Sequence, residues 1–114
     1  MIKTLIVDDE QHCIDSIIKL TESFDSNLEI VATCSTVDDA LAKTKTLQPD
    51  LVFLDIEIHN KTGFDYLENL GDYNFNVIFT TAFNDYAIKA FKYSAMDYLL
   101  KPIDKDDFIK QLKD

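Results

Sequence analysis

Arginine is missing from this sequence altogether, so each of its 11 basic residues is a lysine. Against them stand 21 acidic residues, for a formal net charge of -10. A segment this acidic is repelled by phosphate backbones and is a poor nucleic-acid binder. If the protein acts on DNA, another segment must make the contact. Cysteine is scarce too. Cys13 and Cys34 sit in apolar-periodic stretches without any CxxC pattern, which argues against a disulfide framework and reads as core thiols, with a disulfide or metal pair as the lesser alternative. Only two histidines occur, His12 and His59, and each stands alone. No apolar run approaches membrane-spanning length, and the start MIKTLIVDDE lacks the length and cleavage site of a signal peptide. The expected compartment is the cytoplasm, with no membrane partner. Repeats, linkers and low-complexity tracts are absent as well. What remains is 114 residues with 46% apolar and 28% charged composition, which is enough for one hydrophobic core and points to a single domain over 1–114.

Short apolar runs alternate with helix-period segments. The runs are Ile2–Val7, Leu28–Cys34, Leu51–Leu54, Val77–Phe79 and Tyr98–Leu100. They are short, rich in β-branched or aromatic residues and in places apolar on both faces, as buried parallel strands are. Between them run apolar stripes at i, i+3, i+4 spacing. Ile14, Ile17, Ile18 and Thr21 form the first; Val37, Ala40, Leu41 and Thr44 the second; Phe64, Leu67 and Leu70 the third. Ala87, Ala90 and Phe91 form the fourth, and Phe108 and Leu112 the fifth. Ser35 or Thr36 is placed to cap the second helix, Asn84 the fourth and Asp104 the fifth. Five strand–helix units predict an α/β fold: a doubly wound parallel sheet with helices on both faces, too small for a closed barrel. In such a sheet, ligands bind beyond the carboxyl ends of the strands.

Those ends carry chemistry. Strand one ends in Asp8-Asp9-Glu10, strand three in Asp55, strand four in Thr80-Thr81-Ala82 and strand five in Lys101-Pro102. Each taken singly has an ordinary structural explanation: a helix cap, a turn acid, a loop. Together they put carboxylates, a hydroxyl and an ammonium on one edge. Clustered carboxylates repel unless a cation joins them, and hard oxygen donors suit Mg²⁺. A carboxylate can accept a phosphoryl group, and phosphoryl transfer needs mainly positioning and charge neutralisation.

The motifs IVDDE (6–10), LDIEIHNKTGF (54–64), TTAF (80–83) and YLLKPI (98–103) resemble the response-regulator receiver domain of two-component systems, along essentially the whole chain. The resemblance implies a flavodoxin-like (βα)₅ fold in three α/β/α layers, with strand order 2-1-3-4-5. It implies Asp55 as phosphoacceptor, and Asp8, Asp9, Asp55 and the backbone carbonyl of Glu57 as Mg²⁺ ligands. Thr81, Ala82 and Lys101 would contact the phosphoryl group, Tyr98 would be the switching aromatic, and Pro102 would follow a cis bond. The implied donor is a sensor histidine kinase docking near the first helix. Such a domain is a phosphoacceptor signalling module rather than an enzyme; it promotes only its own phosphorylation and dephosphorylation.

The segment TTAFNDYAIKAFKYSAMDYLLKPID resembles receivers of LytTR-type (LytR/AgrA-like) transcriptional regulators. This implies a C-terminal DNA-binding domain beyond Asp114 and a switch surface built from the fourth helix, fifth strand and fifth helix. Lys89, Lys92 and Asp97 would belong to that surface and pair two copies on activation. His59 stands where many receivers have Pro, and Ile58 where they often have Met, which leaves the loop from 58 to 63 less rigid at its start. Glu57 and Phe83 occupy positions that tune phosphoryl lifetime, and they predict slow self-dephosphorylation. The alternative reading is a stand-alone or phosphorylation-independent interaction module. A haloacid-dehalogenase-type hydrolase is disfavoured because its nucleophile follows the first strand in an Asp-x-Asp pattern. A flavodoxin is disfavoured because Asp8-Asp9-Glu10 replaces a phosphate-binding loop.

Overall fold

The computed structural model describes residues 1–24, 27–82 and 97–113. Five strands form one sheet: β1 (Ile2–Val7), β2 (Leu28–Cys34), β3 (Leu51–Asp55), β4 (Asn76–Thr81) and β5 (Asp97–Leu100). Every neighbouring pair is parallel, and the order is β2-β1-β3-β4-β5, as expected. The helices described are α1 (Gln11–Phe24), α2 (Val37–Leu47), α3 (Gly63–Leu70) and α4 (Lys105–Lys113). The fourth apolar stripe, with Asn84, Ala87, Ala90 and Phe91, lies outside the described residues.

The period-2 alternation of the strands sorts the core into two layers. Leu5, Val7, Val52, Leu54, Val77 and Phe79 point to one side, where Val37 and Ala40 of α2 and Phe64 and Leu67 of α3 cover them. Ile6, Leu51, Phe53 and Ile78 point to the other, under Ile14 and Ile17 of α1 and Phe108 of α4. The sandwich is therefore α/β/α, the flavodoxin-like arrangement. Phe53 stacks on Phe108 with ring centroids 5.8 Å apart, which ties the C-terminal helix to the middle of the sheet.

Local signals set the helix starts. Of the two candidate caps for α2, Thr36 is the one used; its side chain accepts from the Asp39 amide at 3.1 Å. Thr62 and Asp65 form a reciprocal capping box on α3. Tyr66 departs from the apolar stripe predicted for α3, yet it is fully buried. It lies 2.6 Å from the Thr44 hydroxyl, which itself donates to the Ala40 carbonyl; the Tyr66 hydroxyl is thus the donor of the pair. A helix wedged between a sheet and α2 buries more of its circumference than one stripe.

Chain direction places the site. The β1–α1–β2 unit steps one way, and α2 then carries the chain back across β1 to β3. The connections diverge between β1 and β3, which opens a cleft at their carboxyl ends. Gly63 seals its floor. A Cβ there would meet the Asp55 carbonyl oxygen at 2.6 Å and Leu54 Cγ at 2.9 Å, and the Gly63 amide donates to the Ile56 carbonyl at 2.8 Å. That contact explains why a residue without a side chain follows Asp55 at this distance. Gly63→Ala is expected to cost about 1–3 kcal/mol, because the obstruction is backbone and cannot rotate away; equal urea midpoints for variant and wild type would refute this.

Candidate functional site

Each strand end delivers its predicted residue to the cleft. Asp8 leaves β1 fully buried, its amide donating to the Cys34 carbonyl at 2.9 Å. Asp55 ends β3 and is 4% exposed; Thr81 ends β4 and is 1% exposed. The Lys101 amide donates to the Thr81 carbonyl at 2.7 Å, which extends the β4–β5 ladder by one rung and carries the lysine to the same edge. The Lys101–Pro102 bond is cis, as expected.

The Lys101 ammonium occupies the centre. It lies 2.9 Å from Asp8 Oδ2, 3.3 Å from Asp55 Oδ2 and 3.6 Å from Glu10 Oε1. Asp8 Oδ1 accepts from the Glu10 amide at 2.9 Å. Asp8 Oδ2 is buried, and the Lys101 ammonium at 2.9 Å is the group that offsets its charge. Burial pushes the Asp55 carboxyl up to about 7, the Asp8 charge adds to this, and Lys101 opposes it. Burial alone would lower Lys101, but the Asp8 hydrogen bond and the Asp55 and Asp8 charges outweigh it and hold the ammonium above its ordinary value.

The carboxylate oxygens of Asp8, Asp9 and Glu10 lie within 4.8 Å of one another. A buried carboxylate beside converging hard oxygen donors fits a divalent cation such as Mg²⁺. Asp9 and Glu10 border a cavity of about 210 Å³ that is lined also by Asp55, Glu57, Thr81 and Lys101. A larger hollow of about 540 Å³ lies at the opposite end of the sheet, beside Pro49, Asp72 and Phe75. We assign the chemistry to the smaller one, because the mutually perturbed acid and ammonium meet there.

Some predictions resolve differently. Glu10, the last of the acidic run after β1, lies 3.6 Å from Lys101, a contact its place in the sequence does not show. His12, isolated in sequence, sits 3.7 Å from Glu10 and joins it and Cys13 in a second cluster. Cys34 is the buried core thiol expected; Cys13 is only partly buried. Phe83, Lys89 and Lys92 lie outside the described residues, as do the side chains of Asp97 and Tyr98. Among the described residues, no helix is long and apolar enough to cross a membrane.

Residues 4–113 match the model of the response regulator receiver domain. The chain belongs to the response regulator receiver domain family. It is 42% identical over 114 residues to the transcriptional regulatory protein BtsR of Shigella flexneri, covering 98% of this chain and 47% of that protein. It is 36% identical over 115 residues to the sensory transduction protein LytT of Bacillus cereus, covering 99% and 46%. The receiver thus spans about half the length of these relatives. The response regulatory domain of protein mrkE from Klebsiella pneumoniae superposes with a TM-score of 0.87 at 29% identity, over 97% of this chain and 92% of that one. Receivers of this family are signalling domains.

One departure of this receiver has a structural reason. Residues 57–62 form an antiparallel ribbon, Glu57–Ile58 against Lys61–Thr62, turned by His59 and Asn60. His59 has φ +54, outside the range of a proline ring, and its amide donates to Asp9 Oδ2 at 3.0 Å. A proline would forbid the turn and delete the donor that orients Asp9. His59→Pro is expected to destabilise the chain by about 1–3 kcal/mol, whereas His59→Gly, which takes positive φ freely, is neutral or stabilising. Denaturant titration checks the opposite signs; a tolerated proline contradicts the account.

The raised Asp55 carboxyl makes stability pH-dependent. Below about pH 4 the carboxyl is protonated whether the chain is folded or not. From about pH 4 upward the unfolded chain releases this proton while the folded chain keeps it, so stability falls until the buried acid ionises near pH 7. Without divalent ion, Asp55→Asn should therefore gain on wild type in melting temperature from about pH 4 to about pH 7, and hold that gain above it. A gap that narrows over that range contradicts the assignment.

Proposed function

We propose that this receiver accepts a phosphoryl group on Asp55 from the phosphohistidine of a sensor histidine kinase, and so switches an attached effector. The observation that carries this reading is the ammonium of Lys101 bridging Asp8 and Asp55 across the β1–β3 cleft. An Asp55 carboxylate oxygen attacks phosphorus, a P–O bond forms, the P–N bond breaks, and the imidazole leaves with the electron pair. Catalysis of this step is chiefly positioning and electrostatics. Asp8, Asp9, Asp55 and the Glu57 carbonyl are the groups that would hold Mg²⁺, which when bound offsets charge on the phosphoryl oxygens.

Lys101 lies 3.3 Å from the acceptor carboxylate and takes over the charge of about -1.5 to -2 that the phosphoryl group brings. The Thr81 hydroxyl gains an acceptor and draws in the loop after β4; Ala82 lines the same cavity and leaves room beside it. Tyr98 follows into the space released, and the surface carrying Lys89, Lys92 and Asp97 changes shape to pair two copies. The effector proposed is a C-terminal LytTR-type DNA-binding domain, in the cytoplasm. The net charge of -10 assigns any DNA contact to that domain.

Acetyl phosphate with Mg²⁺ is expected to add the mass of one phosphoryl group. The gain should vanish in Asp55→Asn and on chelation of Mg²⁺, and it should form roughly a hundredfold more slowly in Lys101→Ala. Intact-mass spectrometry reads each result. Failure of the wild-type chain to gain mass would favour a phosphorylation-independent module instead.

A further inference from the structure

Beside the acidic pocket, the first turn of α1 gathers donors of another kind. The carboxylate of Glu10, an imidazole nitrogen of His12 and the Cys13 sulfur lie within 4.8 Å of one another. One oxygen, one nitrogen and one sulfur suit neither Mg²⁺ nor Ca²⁺, which take oxygen; the set matches a borderline-soft ion. We propose that Glu10, His12 and Cys13 form a second metal site, for a transition-metal ion of the Zn²⁺ class.

The backbone prepares the geometry. The amides of Cys13 and Ile14 both donate to the Glu10 carbonyl, at 3.1 and 3.2 Å, so the three residues are held in one tight turn. Glu10 Oε2 already lies 3.7 Å from His12 Nε2. Tetrahedral bonds of about 2.0–2.3 Å set ligand atoms about 3.5 Å apart. Closing from within 4.8 Å takes only rotamer adjustment of side chains that are largely exposed, at 77% for His12 and 51% for Glu10. Burial holds the Cys13 thiol above its ordinary value, so an incoming metal ion has to displace its proton.

The site is open as well as formed. It borders a cavity of about 350 Å³ lined also by Ser16, Pro102 and Ile103, with room for the water or ligand that completes four-coordination. Lys101 repels a cation there, whereas the Glu10 carboxylate beside it and the net charge of -10 attract one. Glu10 faces both ways, its other oxygen lying 3.6 Å from Lys101. Ligation at the second site therefore draws on a carboxylate that otherwise screens the lysine of the acidic pocket.

Cobalt(II) is the probe, since thiolate ligation gives a sulfur-to-metal charge-transfer absorption. Titrating the reduced chain with Co²⁺ in excess Mg²⁺ should produce that band with one ion per chain. Cys13→Ser should abolish it, His12→Ala should weaken binding at least about tenfold, and Cys34→Ala should leave it intact. Zn²⁺ should displace the cobalt. Absence of the band, its survival in Cys13→Ser, or its loss to excess Mg²⁺ would each overturn the proposal. Because none of these readouts involves phosphorylation, they stand apart from the test of Asp55.

Discussion

The ammonium of Lys101 is the charge on which the carboxyl edge of this sheet depends. Asp8 is fully buried and Asp55 nearly so, and two such acids cannot ionise side by side without a counter-charge. Lys101 reaches both, and Glu10 besides, because its backbone is pinned to Thr81 at the end of β4. Residues from β1, β3, β4 and β5 are thereby linked through one group. The parallel sheet brings the charges together, and the lysine makes their proximity tolerable.

That solution is deliberately incomplete. One ammonium is shared among the Asp8, Asp55 and Glu10 carboxylates, and Asp55 holds its proton far above the usual carboxylate range. An arrangement with a residual demand for positive charge is poised to take a divalent cation, and then a phosphoryl group that brings more negative charge. The same edge tolerates little steric change. Gly63 admits no Cβ beneath Asp55, and the ribbon after it depends on a positive φ at His59. The chemistry therefore rests on a rigid floor, with a polar turn on one side.

Much of this was legible in the linear chain. Apolar runs at strand length and stripes at helical spacing led to the parallel strand–helix units, and the resemblance of the motifs at the run ends supplied the sheet order that brings Asp8, Asp55, Thr81 and Lys101 to one edge. These features are local or follow from the handedness of strand–helix units, so they survive without coordinates. Tyr66 was not legible as core, because its burial comes from α2 packing across α3 rather than from the period of its own helix.

The sequence by itself determined the elements, their parallel character and the identity of the chemical groups, since periodicity, turn residues and strand ends are written in neighbouring positions. Only the tertiary structure decided which carboxylates share Lys101, how far Asp55 is pushed toward its neutral form, and that Glu10 joins His12 and Cys13. Those properties depend on separations of a few ångströms between residues up to 93 positions apart, as with Asp8 and Lys101. Coulomb energy and desolvation change steeply over such distances, and no pattern along the chain encodes them.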